Sequence, residues 1–259
     1  MTDAGPALPL NFGLAGRVVL VTGGVRGVGA GISAVFADQG AKVVTCARRP
    51  VEGLPYEFHE CDVRDADSVA KLIAAVVERH GALDVVVNNA GGSPYALTAD
   101  ASPKFNEKII ALNLLGMLHV SQCANAVMQT QRNGGAIVSI SSVSGRRPTP
   151  GTAAYGAAKA GVESLTSTLA VEWAPKVRVN ALAVGMVQTE QSELFYGDAD
   201  SVAAVAATVP LGRLARPAEI GWAVAFLASD AASYISGTTM AVHGGGEPPP
   251  YLAASSANK

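Results

Sequence analysis

Residues 17–29 hold the feature that most constrains this chain. Residues 17–22 (RVVLVT) are apolar at consecutive positions, as a strand buried on both faces of a parallel sheet requires. Thr22-Gly23-Gly24-Val25-Arg26-Gly27-Val28-Gly29 follows at once, and residues 28–39 then read as a helix closed by Gly40. Strand, glycine-rich turn and helix in that order let backbone approach a pyrophosphate at a helix N-terminus. The glycines run TGxxxGxG rather than GxGxxG, and for such a loop taken alone a tight turn without ligand is the plain alternative.

The alternation continues. Residues 41–47, 83–88, 136–141, 177–183 and 238–242 read as strands, and a short segment before Asp62 adds another. Helical patterns fill 67–79, 105–131, 153–173 and 218–227. Seven strands with interleaved helices predict an α/β fold: a single-domain, Rossmann-like, doubly wound parallel sheet with helices on both faces. The 259 residues suit one such domain, with a core over about 14–245. From Glu247 the proline-rich tail reads as extended, and 255–259 as disordered.

Hydrophobic residues make up 49% of the chain and charged ones 15%, below the roughly 25% of an average domain, which points to a large core and further burial between subunits. A net charge of −2 gives no electrostatic case for nucleic acid or an anionic membrane as partner. Cys46, Cys61 and Cys123 show no metal or redox spacing, so a reduced cytoplasmic setting and no metal site are expected. The first sixteen residues lack a signal-peptide pattern, and no apolar run approaches the roughly 18 residues of a membrane span.

Tyr155 and Lys159 stand four apart in a helical stretch, so they project from one face. A phenol titrates near about 10, and a cation beside it favours the phenolate. The pair suggests an acid/base centre acting on an alcohol oxygen, although a Tyr four residues before a Lys is also common on exposed helices. TGxxxGxG, Asn88-Asn89-Ala90-Gly91 and Tyr155-x-x-x-Lys159, in this order and spacing, resemble the short-chain dehydrogenase/reductase family over nearly the whole chain.

That resemblance implies hydride transfer between a nicotinamide dinucleotide and a carbonyl or secondary alcohol. Tyr155 would be the acid or base. Lys159 would lower its pKa and bind the nicotinamide ribose. Ser142 would polarise the substrate oxygen, with Ser141 as the adjacent alternative, and Asn113 would hold a water in the proton relay. Gly23, Arg26, Gly27, Val28 and Gly29 would cradle the pyrophosphate. Asp62 and Val63 would meet the adenine, Asn89, Ala90 and Gly91 the adenine ribose, and Val187 and Thr189 the nicotinamide carboxamide. The family usually has Pro where Val184 stands, which implies a less rigid loop here, and often Asp near His243.

The end of the second strand decides between the two dinucleotides. A carboxylate there binds the ribose 2′-hydroxyl of NAD. Here that place is Ala47, followed by Arg48 and Arg49, with Arg26 in the glycine-rich loop. Each charge-assisted contact is worth roughly 1.5–3 kcal/mol, so NADP(H) is the expected cofactor, with NAD(H) the outcome if these arginines are solvated loop charges.

By the same resemblance, residues 188–210 form a mobile lid. Its Leu194, Phe195 and Tyr196 favour a hydrophobic small-molecule substrate, such as a 3-oxoacyl thioester or a ketosteroid-like ketone. Glu190 and Glu193 argue against a strongly anionic group beside them. The small residues on the Tyr155 helix imply a homotetramer, or a dimer. A dinucleotide-binding protein without activity is the rival from another class.

Overall fold

The computed structural model describes residues 11–256. The signal-peptide reading of the first residues falls partly outside this range, as do residues 257–259 of the segment 255–259 expected to be disordered.

The strands are β1 (Val18–Thr22), β2 (Lys42–Ala47), β3 (Glu57–Glu60), β4 (Val85–Asn88), β5 (Gly135–Ser142), β6 (Val177–Val184) and β7 (Thr239–Val242). They form one sheet in the order β3-β2-β1-β4-β5-β6-β7, and every neighbouring pair is parallel. The apolar run predicted for β1 is explained by its two covered faces. Val19 and Val21 point into a cluster with Ile32 and Phe36 of α1 (Gly27–Asp38) and with Ile220 and Val224 of α8 (Pro217–Ala228). Val18 and Leu20 point the other way, into a cluster with Val69 and Leu72 of α2 (Ala66–His80) and with Val120 of α4 (Gly116–Thr130).

Local chemistry sets the helix ends. Gly40, at φ 78°, donates to the Ala37 carbonyl while Ala41 donates to Phe36, the paired bonds of a Schellman turn closing α1. Asp65 caps α2 by accepting from the Asp67 and Ser68 N–H groups. The long helix expected over 105–131 begins earlier, because Ser102 caps α3 (Pro103–Ile110) and Pro103 occupies the first turn. A π-helical turn, Ala111–Leu115, joins α3 to α4. By length and composition the run Pro103–Thr130 could cross a membrane, which corrects the expectation that no apolar run approaches that length. Its charges are confined to Lys104, Glu107 and Lys108 in the first turns, and Val120, Ala124 and Met128 pack into the core.

Two other expectations change. Residues 250–254 of the tail are not extended but form a short helix, α9 (Pro250–Ala254), with Pro250 in its first turn, where a missing N–H costs nothing. Val184 is held in the ladder opposite Ser142 and Val242, so the segment expected to be less rigid is fixed by pairing on both sides.

The strand order reverses between β1 and β4, which opens a crevice at their C-terminal ends. α1 and α8 lie very close under it. A Cβ at Gly31 would stand 2.3 Å from the Pro217 Cβ, and one at Gly221 would stand 2.9 Å from the Gly31 carbonyl. Gly31→Ala should therefore destabilise the fold by roughly 1–3 kcal/mol through overpacking, read as a fall of several degrees in Tm; an unchanged Tm would mean the helices separate without cost.

Candidate active site

The crevice between β1 and β4 opens into a cleft of about 360 Å³ bordered by the glycine-rich loop, the end of β2, the segment after β3, the Asn89–Gly92 turn, Tyr155, Lys159 and the start of the 188–210 segment. Its floor is backbone brought close by glycine. Gly23 has φ 65° and Gly27 φ 53°, and a Cβ on Gly29 would stand 2.2 Å from the Gly23 carbonyl oxygen. Asn89 ties this floor to the sheet, its Nδ2 donating to the Thr22 carbonyl at 3.0 Å and the Gly23 carbonyl at 3.1 Å. The Thr22 hydroxyl accepts from the N–H groups of Asn89 and Ala90. A cradle that any side chain would fill, at a helix N-terminus, fits the pyrophosphate of a dinucleotide.

The 20-residue helix α5 (Ala153–Glu172) carries Tyr155 and Lys159. The Lys159 ammonium is buried, donates to the Ile140 carbonyl at 2.8 Å and stands 5.4 Å from the centre of the Tyr155 ring. Burial lowers the Lys159 pKa to about 8. Burial also pushes the Tyr155 phenol above its usual range, a hydrogen bond with Ser142 pulls it down, and the neighbouring Tyr196 pushes it up. The ammonium is turned to a main-chain oxygen, and on the phenol desolvation and Tyr196 act upward against Ser142.

The neighbouring serines separate cleanly. The Ser142 hydroxyl accepts from the Ser144 N–H at 3.2 Å and meets Tyr155. Ser141 is turned away from Tyr155 and donates to the Lys159 carbonyl and to Glu163 Oε1, further along α5. Strand alternation therefore puts Ser142, and not Ser141, at the tyrosine.

Asn113 sits in the π-helical turn, a distortion frequent at functional sites. Its Nδ2 donates to the carbonyls of Gly92 (3.0 Å) and Ile109 (2.9 Å), and its Oδ1 accepts from the Gly92 N–H at 2.8 Å. Both amide hydrogens are used, so this side chain clamps the Gly91-Gly92 turn against α3, a role the sequence did not suggest. A Cβ on Gly91 would meet the same Oδ1 at 2.7 Å.

Of the remaining predicted residues, Arg26, Gly27, Val28, Arg48, Asp62, Val63, Ala90 and Thr189 border the cleft, whereas Arg49 and Val187 do not. Val187 instead bridges to Ala215 beside it. Thr189 Oγ1 accepts from the Gln191 N–H at the start of α6 (Ser192–Tyr196). Asp62 is gripped by Arg64, which sequence reasoning missed: the guanidinium takes both carboxylate oxygens and holds the carboxyl below its usual range. The carboxylate also feels Arg48. Glu190 borders the mouth near Gly27. His243 packs its Cβ against Gly185, and its Nδ1 is buried without a hydrogen-bond partner.

A family model described as enoyl-(acyl carrier protein) reductase matches residues 23–247. The chain is 36% identical to the 3-oxoacyl-(acyl-carrier-protein) reductase of Thermotoga maritima over 244 residues, 90% of this chain and 98% of that protein. It is 33% identical to human dehydrogenase/reductase SDR family member 4 over 245 residues, 90% of this chain and 88% of that one. The aldohexose dehydrogenase of Thermoplasma acidophilum superimposes with a TM-score of 0.87 at 33% identity, over 96% of this chain and 98% of that one.

The chain belongs to the short-chain dehydrogenase/reductase family. Membership makes it one of a family of oxidoreductases acting on CH–OH or C=O groups with a nicotinamide dinucleotide.

Burying the Lys159 charge has a thermodynamic consequence. Unfolded, a lysine titrates near about 10.4, and here the folded value is about 8. Below pH 8 both states are protonated and the folded state carries the full desolvation penalty. As pH rises from about 8 toward about 10.4 the folded lysine loses its proton first, and stability increases, by up to roughly 3 kcal/mol from this group. Lys159→Met should abolish turnover and remove this gain, so that urea unfolding at pH 7 and pH 9.5 gives a smaller rise for the variant than for the wild type. Equal rises would show that the buried ammonium is not desolvated.

Proposed function

We propose that the protein is an NADP(H)-dependent reductase of a hydrophobic carbonyl compound, such as a 3-oxoacyl thioester or a ketosteroid-like ketone. One observation carries the choice of cofactor. Arg26 and Arg48 both border the cleft, are exposed, and form no ion pair or side-chain hydrogen bond among the described residues, while the end of β2 offers Ala47 where a carboxylate would repel a 2′-phosphate. Asp62 weakens this field less than its charge suggests, because Arg64 holds it.

The dinucleotide supplies the hydride; the chain's own residues handle the oxygen of the substrate. In this reading Tyr155 gives its proton to the developing alkoxide, and a phenol held protonated by burial is suited to that direction. Ser142 hydrogen-bonds the same oxygen. Lys159 would bind the nicotinamide ribose, and Asn113 keeps the Gly91-Gly92 turn in place beneath it. Phe195 borders the cleft and Leu194 is exposed beside it on α6, which supports an apolar substrate, in keeping with the 3-oxoacyl reductase among the relatives.

A homotetramer is part of the proposal. Ala153, Ala157, Ala160, Ser164, Thr168 and Val171 form an exposed, uncharged stripe along α5, and Val171 is 80% exposed. Small residues at this spacing let a second helix approach closely.

Initial rates with NADPH and NADH over 3-oxoacyl thioesters, ketosteroids and short ketones test the reading. NADPH should be strongly preferred, and Arg48→Glu should shift the NADPH/NADH ratio of kcat/KM toward NADH by about 10- to 100-fold, the worth of one or two charge-assisted contacts. A ratio that does not move would make Arg48 a solvated loop charge.

A further inference from the structure

Cys46 and Cys61 have no redox spacing in the sequence, yet the parallel register brings them together. Cys46 stands opposite His59, and Cys61 lies two residues further along the same face. With strands about 4.8 Å apart and a rise of about 3.3 Å per residue, their Cα atoms lie about 8 Å apart. The Cys61 N–H donates to the Ala47 carbonyl at 2.9 Å, which carries the pairing past the end of β3. Both side chains belong to the apolar cluster under α2, at 1% and 3% exposure.

The two thiols interact directly, and their environments differ. Hydrogen bonding with Cys61 and burial push the Cys46 thiol up, whereas the Cys46 thiol, with Ser68 Oγ donating at 3.4 Å, brings Cys61 down to about 7. Cys61 is thus the sulfur drawn toward the thiolate, with Cys46 beside it as the resolving thiol. Both residues border the cleft next to Gly23, Arg48 and Asp62, and the Gly23 N–H donates to the Cys46 carbonyl at 2.8 Å.

We propose that Cys46 and Cys61 form a reversible disulfide that closes the adenine end of the cleft to dinucleotide, and that bound dinucleotide in turn shields the pair. This rests on the dinucleotide site described above. The oxidant is a hydroperoxide. The Cys61 thiolate attacks the terminal peroxide oxygen, the O–O bond breaks, and Cys61 becomes a sulfenic acid with release of alkoxide, or of hydroxide from hydrogen peroxide. The Cys46 sulfur then attacks the sulfenic sulfur, the S–O bond breaks, and the departing hydroxide takes the Cys46 proton as water. With hydrogen peroxide, two thiols are oxidised and the peroxide is reduced to two waters; a thiol reductant reverses the step. Disulfides usually span Cα separations up to about 6.8 Å, so closing the bond draws together the strand ends that carry Arg48 and Asp62.

The test uses the whole protein, with hydrogen peroxide as oxidant and Cys123, on α4, as reference thiol. Expected are a mass loss of two hydrogens, a single peptide pair linking Cys46 to Cys61, and a fall in NADPH affinity of about tenfold or more, equivalent to about 1.4 kcal/mol or more. Dithiothreitol should restore binding, and saturating NADPH should slow the reaction. In Cys61→Ser, peroxide should leave the affinity of the untreated variant unchanged. No Cys46–Cys61 link, or a link with unchanged affinity, overturns the proposal alone. Reduced protein that binds neither NADPH nor NADH overturns the cofactor reading as well.

Discussion

Everything in this site depends on one close approach of backbone to backbone. The first turn of α1 lies so near the end of β1 that a single Cβ at Gly29 would fall within 2.2 Å of the Gly23 carbonyl. Asn89 holds this contact by donating to two successive carbonyls of the loop, and Thr22 holds Asn89 and Ala90 in return. The result is a rigid shelf of main-chain groups at a helix N-terminus, where a pyrophosphate can sit without a side chain in the way. The same shelf lines one cleft with Tyr155 and Lys159 of α5.

The active-site residues are held at a cost to the fold. Lys159 is a buried cation with a main-chain oxygen as its hydrogen-bond partner, and Tyr155 is a phenol whose ionisation burial opposes. Neither arrangement favours folding, but burial keeps the phenol protonated, which suits a group that must hold a proton until a substrate oxygen needs it. Asn113 shows the complementary case. A π-helical turn, itself a departure from regular helix, lets one amide grip Gly92 from both sides and transmit the rigidity of α3 and α4 to the cleft.

The strands were legible in the sequence because parallel strands covered on both faces carry consecutive apolar residues, as 18–21 and 85–87 do. The motif residues were legible because they occur in fixed order along the chain, and the family comparisons agree with that reading. The structure added what depends on direction. Ser141 and Ser142 are adjacent in sequence, and alternation gives them different partners: Ser142 meets Tyr155, while Ser141 bonds Glu163 and the Lys159 carbonyl. β3 was harder to read because an edge strand is polar: its Glu57 is held by His59, His80 and Arg79 rather than by a core. Arg64, two residues from Asp62, carries no motif, and the meeting of Cys46 with Cys61 follows from strand register alone.

On this reading Tyr155 transfers the proton, while the glycine shelf, the arginines and Lys159 position the dinucleotide. Substituting Tyr155 by Phe, which removes one oxygen and keeps the ring, separates the two. Single-turnover rates and fluorescence titration with NADPH should show turnover reduced by at least about a thousandfold, in the range of a lost general acid, with NADPH affinity within a few-fold of wild type. Turnover near the wild-type rate in this variant would contradict the account.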